Sequence, residues 1–215
     1  MPLNKDKKTR IERSKLILAE GLDAYFFCIW ACNTYRPETI QILDFGGIGD
    51  LSKFIAGIKL LPNYEQVETI VILRDAEKDA KSAIDSIKSS LKKEGFSIPK
   101  KPCEFTSSSP RIAYMVLPGF GKDVDGMNYL PAGTLEDLCI EIVSNDPIIE
   151  CVDQYLQCVQ SKNTKLTHPH KAKLHAYLAG KNEYVGLKIG EASKAGVWNW
   201  EHERLKPFKE VIMAM

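Results

Sequence analysis

LILAEGLD at residues 16–23 and ETIVILRDAEKD at residues 68–79 are the stretches that decide the fold of this chain. Each is a short aliphatic run that ends in carboxylates, which are Glu20 in the first stretch and Asp75, Glu77 and Asp79 in the second. Such a run predicts a strand buried in a parallel sheet, and charges at its carboxyl end fall on the edge where open α/β sheets bind ligands. If the two strands are neighbours, the four carboxylates converge. Because like charges repel, we expect a divalent cation among them.

The first half of the chain alternates between predicted strands and helices. Besides the strand that ends at Glu20, strands are predicted at 39–45, 67–73 and 111–117, with helical spacing of apolar residues between them. This cadence favours a mostly parallel sheet with helices on both faces. The predicted fold class is therefore α/β: a Rossmann-like, four-stranded sheet flanked by helices, with a C-terminal helical extension.

Four parts of the chain are predicted. A basic segment at residues 1–13 precedes an α/β domain at 14–118, and a Gly- and Pro-rich stretch at 119–133 predicts a long loop. The remainder, 134–215, is predicted to be a helical cap subdomain packed on the sheet. Its helices are expected at residues 134–144, 148–160, 169–180 and 203–214.

The composition is that of an ordinary globular chain, with 215 residues, 44% of them hydrophobic and 27% charged. A net charge of +1 argues against a protein that coats nucleic acid, although basic clusters such as residues 165–173 permit phosphate contact. No apolar stretch approaches the roughly 18 residues of a membrane span, and no secretion signal is evident. We therefore expect a cytoplasmic location, no membrane partner, and six buried, reduced cysteines.

Several familiar sites can be excluded. The segment Gly119-Phe120-Gly121-Lys122 lacks the spacing of a phosphate-binding P-loop, and residues 46–49 lack the glycine spacing of a dinucleotide site, so no nucleotide cofactor is expected. His168, His170 and His175 have no cysteine at zinc-ligand spacing and are interpreted as surface histidines.

The carboxylate pattern survives these exclusions. In D-x-E-x-D directly after a strand, alternate side chains are expected to point toward one locus, and oxygen ligands suit Mg²⁺ or Mn²⁺. An alternative is that Asp75 caps the next helix while Glu77 favours its positive end. That alternative does not explain why Glu20 also ends a buried strand.

These residues carry a resemblance to a known family. AEGLD at 19–23, followed two α/β units later by RDAEKD at 74–79, resembles the Toprim domain, which topoisomerases, bacterial primases and OLD-family nucleases share. The resemblance covers residues 14–118. The whole chain is similar to standalone Toprim-like bacterial and phage proteins of unknown function through GGIGDLSKF at 46–54, GTLEDLCIE at 133–141 and AGVWNWEHERLKPF at 195–208.

The resemblance implies metal-dependent phosphodiester chemistry on nucleic acid, either DNA or RNA, and at this length a small nuclease. Glu20 would be the general acid or base, and Asp75 with Glu77 would hold Mg²⁺ or Mn²⁺, with Asp79 as a secondary ligand. Most Toprim proteins have Asp where this chain has Glu77. The extra methylene keeps the charge and shifts the oxygens by about one bond length.

A second acidic site is a further hypothesis. It comprises Asp23, close to the first motif, and three acids that begin the first helix after the long loop: Glu136, Asp137 and Glu141. Glu136 and Asp137 could fold back over the sheet edge and hold another metal ion. The alternative is that they simply favour the positive end of their helix.

A different class of function is kept open. Resemblance to OLD-type proteins implies a partner ATPase of the ABC or AAA type, and this chain has no ATP-binding motif of its own. It could be a non-catalytic or regulated partner in a phage-defence-like system, or form a homo-oligomer. Trp198, Trp200 and Phe208 could form a docking surface, although burial is the expected use of such residues.

Overall fold

The computed structural model describes residues 10–35, 39–47, 49–120, 131–162 and 165–215. The strands are β1 (Lys15–Ala19), β2 (Ile40–Asp44), β3 (Thr69–Asp75) and β4 (Arg111–Leu117). The helices are α1 (Gly21–Tyr35), α2 (Leu51–Ile58), α3 (Ala80–Lys93), α4 (Leu135–Ile142), α5 (Ile148–Ser161), α6 (Pro169–Ala179), α7 (Ile189–Lys194) and α8 (Lys206–Ala214). Short 3₁₀ turns cover Tyr64–Gln66 and Glu203–Leu205.

All four strands are parallel and lie in the order β2-β1-β3-β4. The two decisive stretches are neighbours, since Ala19 of β1 pairs with Leu73 of β3, so the condition for convergence of their carboxylates is met. From β1 the chain goes to β2 on one side and then to β3 on the other. The strand order therefore reverses between β1 and β3, and in open α/β sheets ligands bind at the carboxyl ends of the strands at such a switch point.

The sheet is buried on both faces, which explains the unbroken aliphatic runs of its strands. Along β1, Leu16 and Leu18 pack toward α2 and α3, whereas Ile17 and Ala19 pack toward α1 and the C-terminal helices. The second of these cores contains side chains from α1 and from every helix between α4 and α8. The C-terminal helices therefore share one core with the sheet, as the predicted cap requires.

Helix α7 is absent from the sequence prediction, because six residues are too few to show helical periodicity. It packs closely on α1: a Cβ atom at Gly190 would lie 2.5 Å from the Cβ of Phe26. Only glycine permits this approach without displacing one of the helices.

The aromatic residues that were considered for a docking surface pack inside the protein. Trp198 and Phe208 are buried, and the partly buried Trp200 packs on Phe27 with ring centroids 5.1 Å apart. The expected burial is confirmed, and these aromatic residues do not form an exposed docking surface.

The prediction that the six cysteines are buried is wrong for two of them. All six are free, but Cys151 and Cys158 of α5 are exposed, and Cys103 is partly buried. Their helical pattern predicted an apolar face, yet α5 buries only part of that face against α6. Within the described ranges, no helix combines the length and apolar character that crossing a membrane requires.

The basic segment and the long loop fall partly outside the described residues, which omit 1–9 and 121–130. At the end of the basic segment, Ile11 is fully buried and its N–H donates to the carbonyl of Pro62. The last residues of that segment are therefore part of the folded domain.

Candidate active site at the carboxyl edge of the sheet

Glu20 and Asp75 meet at the switch point of the sheet. Glu20 directly follows β1, and its N–H donates to the carbonyl of Leu73 on β3. Asp75 is the last residue of β3, and its N–H donates to Glu20 Oε2 at 3.3 Å. The two acids end the two central strands, so the expected convergence holds for this pair.

Arg74 supplies a cation to Glu20. Its side chain is only 5% exposed, its Nη1 donates to Ser86 Oγ at 2.8 Å, and its Nε lies 3.4 Å from Glu20 Oε2. That contact is an ion pair without the alignment of a hydrogen bond, and Nε has no hydrogen-bond partner among the described residues. Burial raises the pKa of Glu20, and Arg74 opposes that rise.

Asp75 lies in a buried and strongly negative environment. Its Oδ1 accepts a hydrogen bond of 3.0 Å from the N–H of Leu135, the first residue of α4. Burial, and then the charges of Glu136, Glu20 and Glu77, raise the pKa of Asp75 to about 8 despite that bond. A carboxyl group with this pKa is largely protonated at neutral pH, unless a cation compensates its charge.

The D-x-E-x-D segment does not continue the alternation of a strand. Glu77 is exposed and has a φ of +56°, so the extended backbone that alternation requires has already ended. The backbone of Glu77 exchanges two hydrogen bonds with Gly133, which fastens the end of the long loop to this edge. Glu77 still lies close enough for its charge to raise the pKa of both Glu20 and Asp75.

Asp79 has a different role. It precedes α3, and its carboxylate accepts hydrogen bonds from the N–H groups of Lys81 and Ser82. The alternative in which Asp75 caps this helix is therefore wrong, because the capping residue is Asp79. The structure brings together Glu20, Asp75 and Glu77, but it commits the described hydrogen bonds of Asp79 to the helix.

A second group of charged residues borders Asp75. Glu136 in the first turn of α4 is 6% exposed and pairs with Lys171 of α6, with Nζ 2.8 Å from Oε1. Burial opposes the charge of Glu136, yet hydrogen bonding, above all from Lys171, holds its pKa below the ordinary value. Burial, reinforced by Glu136, raises the pKa of Asp23 in α1.

The other two predicted acids of α4 lie elsewhere. Asp137 accepts hydrogen bonds from the N–H and hydroxyl of Thr134 at 2.8 and 3.1 Å, which caps α4. Glu141 pairs with Arg204 at 2.6 Å, near the other end of the helix. The alternative in which these acids favour the start of their helix therefore describes Asp137, and of the three acids only Glu136 reaches the edge.

Sequence reasoning missed three residues of this edge. Asp44 ends β2 and accepts hydrogen bonds from the N–H groups of Gly21 and Gly46 at 2.9 and 2.8 Å, which ties the turns after β1 and β2 together. An acid at the end of an aliphatic run was a usable signal for Asp44, and a charge inside IVILRD was one for Arg74. Lys171 lies in the basic stretch at residues 165–173, but its pairing with an acid of this edge gave no signal, because only the tertiary fold brings α6 to α4.

The carboxylates at this edge suit a hard divalent cation that takes only a few of its ligands from the protein. In the described part of the chain, no set of three or more His, Cys, Asp or Glu side chains is arranged as a metal cage. Mg²⁺, however, is commonly held by one or two carboxylates and completed by water and substrate phosphates. Asp75 and the neighbouring Glu77 are carboxylates of this kind, and a cation would relieve the repulsion among them and Glu20.

Fold and site together define a parallel α/β protein with acidic side chains at its topological switch point. The model of the family described as protein of unknown function (DUF3226) matches residues 14–214, and the chain belongs to that family. Comparisons with curated proteins and with solved structures gave no match.

Proposed function

We propose that this protein is a small Toprim-type nuclease that carries out metal-dependent phosphodiester chemistry on DNA or RNA in the cytoplasm. The observation that supports it is the pairing of Glu20 and Asp75 across the two central strands, where Asp75 N–H donates to Glu20 Oε2. Six free cysteines suit a reducing compartment.

Each residue has a defined task in this proposal. Asp75, with Glu77 beside it, would hold Mg²⁺ or Mn²⁺, which neutralises charge on the scissile phosphate when bound. Glu20 would accept or donate the proton at the attacking or leaving oxygen. Arg74 positions Glu20 and favours its ionised form through the 3.4 Å ion pair.

The test is a cleavage assay with supercoiled DNA, single-stranded DNA and structured RNA in Mg²⁺ or Mn²⁺. Glu20→Gln and Asp75→Asn should each reduce the cleavage rate by at least about 100-fold, because each removes a group that acts at the reacting phosphate. Glu65→Gln is the matched control, since Glu65 is exposed in the 3₁₀ turn at the opposite end of β3. Equal rates for wild type and all variants on every substrate would contradict the proposal.

A second candidate, a partner of an ABC- or AAA-type ATPase, is supported by an apolar groove. The groove between α5 and α6 has a volume of about 630 Å³, and Tyr155 on its wall is 58% exposed. An exposed apolar surface of this kind suits protein binding. This candidate predicts that an affinity-tagged chain retains an identified ATPase and that Tyr155→Glu releases it.

A further inference from the structure

The two partners of the ion pair between Lys171 and Glu136 differ strongly in solvent exposure. The side chain of Glu136 is 8% exposed, whereas that of Lys171 is half exposed, so the ammonium group reaches inward from the surface to a buried acid. Lysine ammonium groups usually extend outward to water. The hydrogen bond to Glu136, and the charges of Glu136, Asp23 and Asp75, raise the pKa of Lys171.

The acidic edge around Asp75 therefore has two cations paired with its acids. Arg74 lies beside Glu20, and Lys171 lies beside Glu136. Asp75 itself has only a backbone N–H as its described partner. A buried carboxylate without a counter-charge is strongly destabilising, and a bound ion or a basic side chain can supply that charge.

Most of the remaining carboxylates already have partners, so few are available to bind a second metal ion. The carboxylate of Asp137 is engaged in the cap of α4, and that of Glu141 pairs with Arg204. Only Glu136 and Asp23 could hold such an ion, and the ammonium of Lys171 already contacts Glu136.

We propose that Lys171 serves as the built-in second cation of this site, so that the edge takes one divalent ion beside Asp75 and Lys171 stands in place of another. Only one part of this inference, the first divalent ion beside Asp75, rests on the proposed function. The second position, made by Glu136 and Asp23, opens to a divalent cation only when the lysine charge is removed.

The experiment counts Mn²⁺ ions bound by the full chain, using calorimetric titration and the electron paramagnetic resonance of free Mn²⁺. Wild type should bind one ion, and Lys171→Met should bind two. Lys171→Arg keeps the charge and should bind one. Lys173→Met is the matched control from the same helix, since Lys173 pairs with Asp153 on α5; it should also bind one.

The double variant Lys171→Met/Glu136→Gln should return to one ion, because it removes the ligand that the first substitution frees. Two ions on the wild type, or one ion on both the wild type and a folded Lys171→Met variant, would overturn the inference while leaving the proposed nuclease intact. No ion on the wild type and one on Lys171→Met would support the inference and contradict the first metal site. Circular dichroism shows whether Lys171→Met folds. If it does not fold, the numbers of Mn²⁺ ions bound by the wild type and by the double variant decide the question. Two ions on either protein would overturn the inference.

Discussion

Asp75 is placed where its own charge is unfavourable. Three carboxylates surround it, and its described compensating contact is one N–H at the start of α4. A titratable group perturbed by burial and by specific neighbours, located at a ligand-binding edge, is typical of functional sites.

The raised pKa of Asp75 predicts a pH dependence of stability in metal-free protein. Between the unfolded pKa near 3.9 and the folded pKa of about 8, the folded state binds a proton that the unfolded state lacks. The free energy of unfolding should therefore fall as the pH rises from 5 to 8, by up to about 1.4 kcal/mol per pH unit from this group. Asp75→Asn should remove that contribution, as urea unfolding in the presence of a chelator would measure.

Added Mg²⁺ provides the control for this effect. A cation that binds ionised Asp75 in the folded state should stabilise the wild type near pH 8 more than it stabilises Asp75→Asn. Identical pH slopes for the two proteins without metal would show that Asp75 is ionised in the folded state throughout this range.

The connection between β3 and α3 decides which acids of one short segment can act together. Extended backbone ends at Asp75, Glu77 adopts a left-handed conformation, and Asp79 turns its carboxylate to the first N–H groups of α3. Three acids at alternate positions thus acquire three different environments.

The capping role of Asp79 predicts a loss of stability on substitution. Asp79→Ala should lower the thermal midpoint by roughly 2–4 °C, because it leaves helix N–H groups without their acceptor. Asp50→Ala is a matched comparison, since Asp50 precedes α2 without a side-chain capping bond, and should have a smaller effect. Thermal unfolding followed by circular dichroism measures both.

Asp79→Ser separates capping from metal binding. Serine keeps a capping oxygen and removes the carboxylate, so stability and Mn²⁺ affinity should both stay close to those of the wild type. A large loss of Mn²⁺ affinity in this variant would show that Asp79 is also a metal ligand.

At the scale of the whole molecule, the C-terminal helices and the sheet form one body. Helix α7 packs against α1 through Gly190, and the shared core extends from β1 to α8. The helices that carry Glu136 and Lys171 are thereby held against the edge that carries Asp75.

Gly190→Ala tests this coupling. The added methyl group would lie 2.5 Å from Phe26 Cβ, so the substitution should destabilise the protein by about 1–3 kcal/mol, in a single unfolding transition. Gly57→Ala is the control: Gly57 lies in α2 with open space around its Cβ position, and this change should be neutral or stabilising by up to about 1 kcal/mol. Two separate transitions in denaturant unfolding of Gly190→Ala would mean that the cap is an independent unit.

The sequence by itself determined the α/β class, the four strands and the position of Glu20 and Asp75 at the carboxyl ends of their strands. Aliphatic runs buried on both faces, separated by amphipathic helices, are local patterns, and parallel strands necessarily bring their carboxyl ends to one edge.

Only the tertiary structure decided which further groups join that pair. Glu136 and Lys171 arrive from α4 and α6, which lie far from β3 along the chain, and their approach depends on how helices pack over the sheet. Asp79 and Asp137 were drawn into helix caps by backbone N–H groups, since a cap depends on where a helix begins, to within one residue. Periodicity fixes the face of an element, whereas side-chain partners depend on distances that only the packed molecule sets.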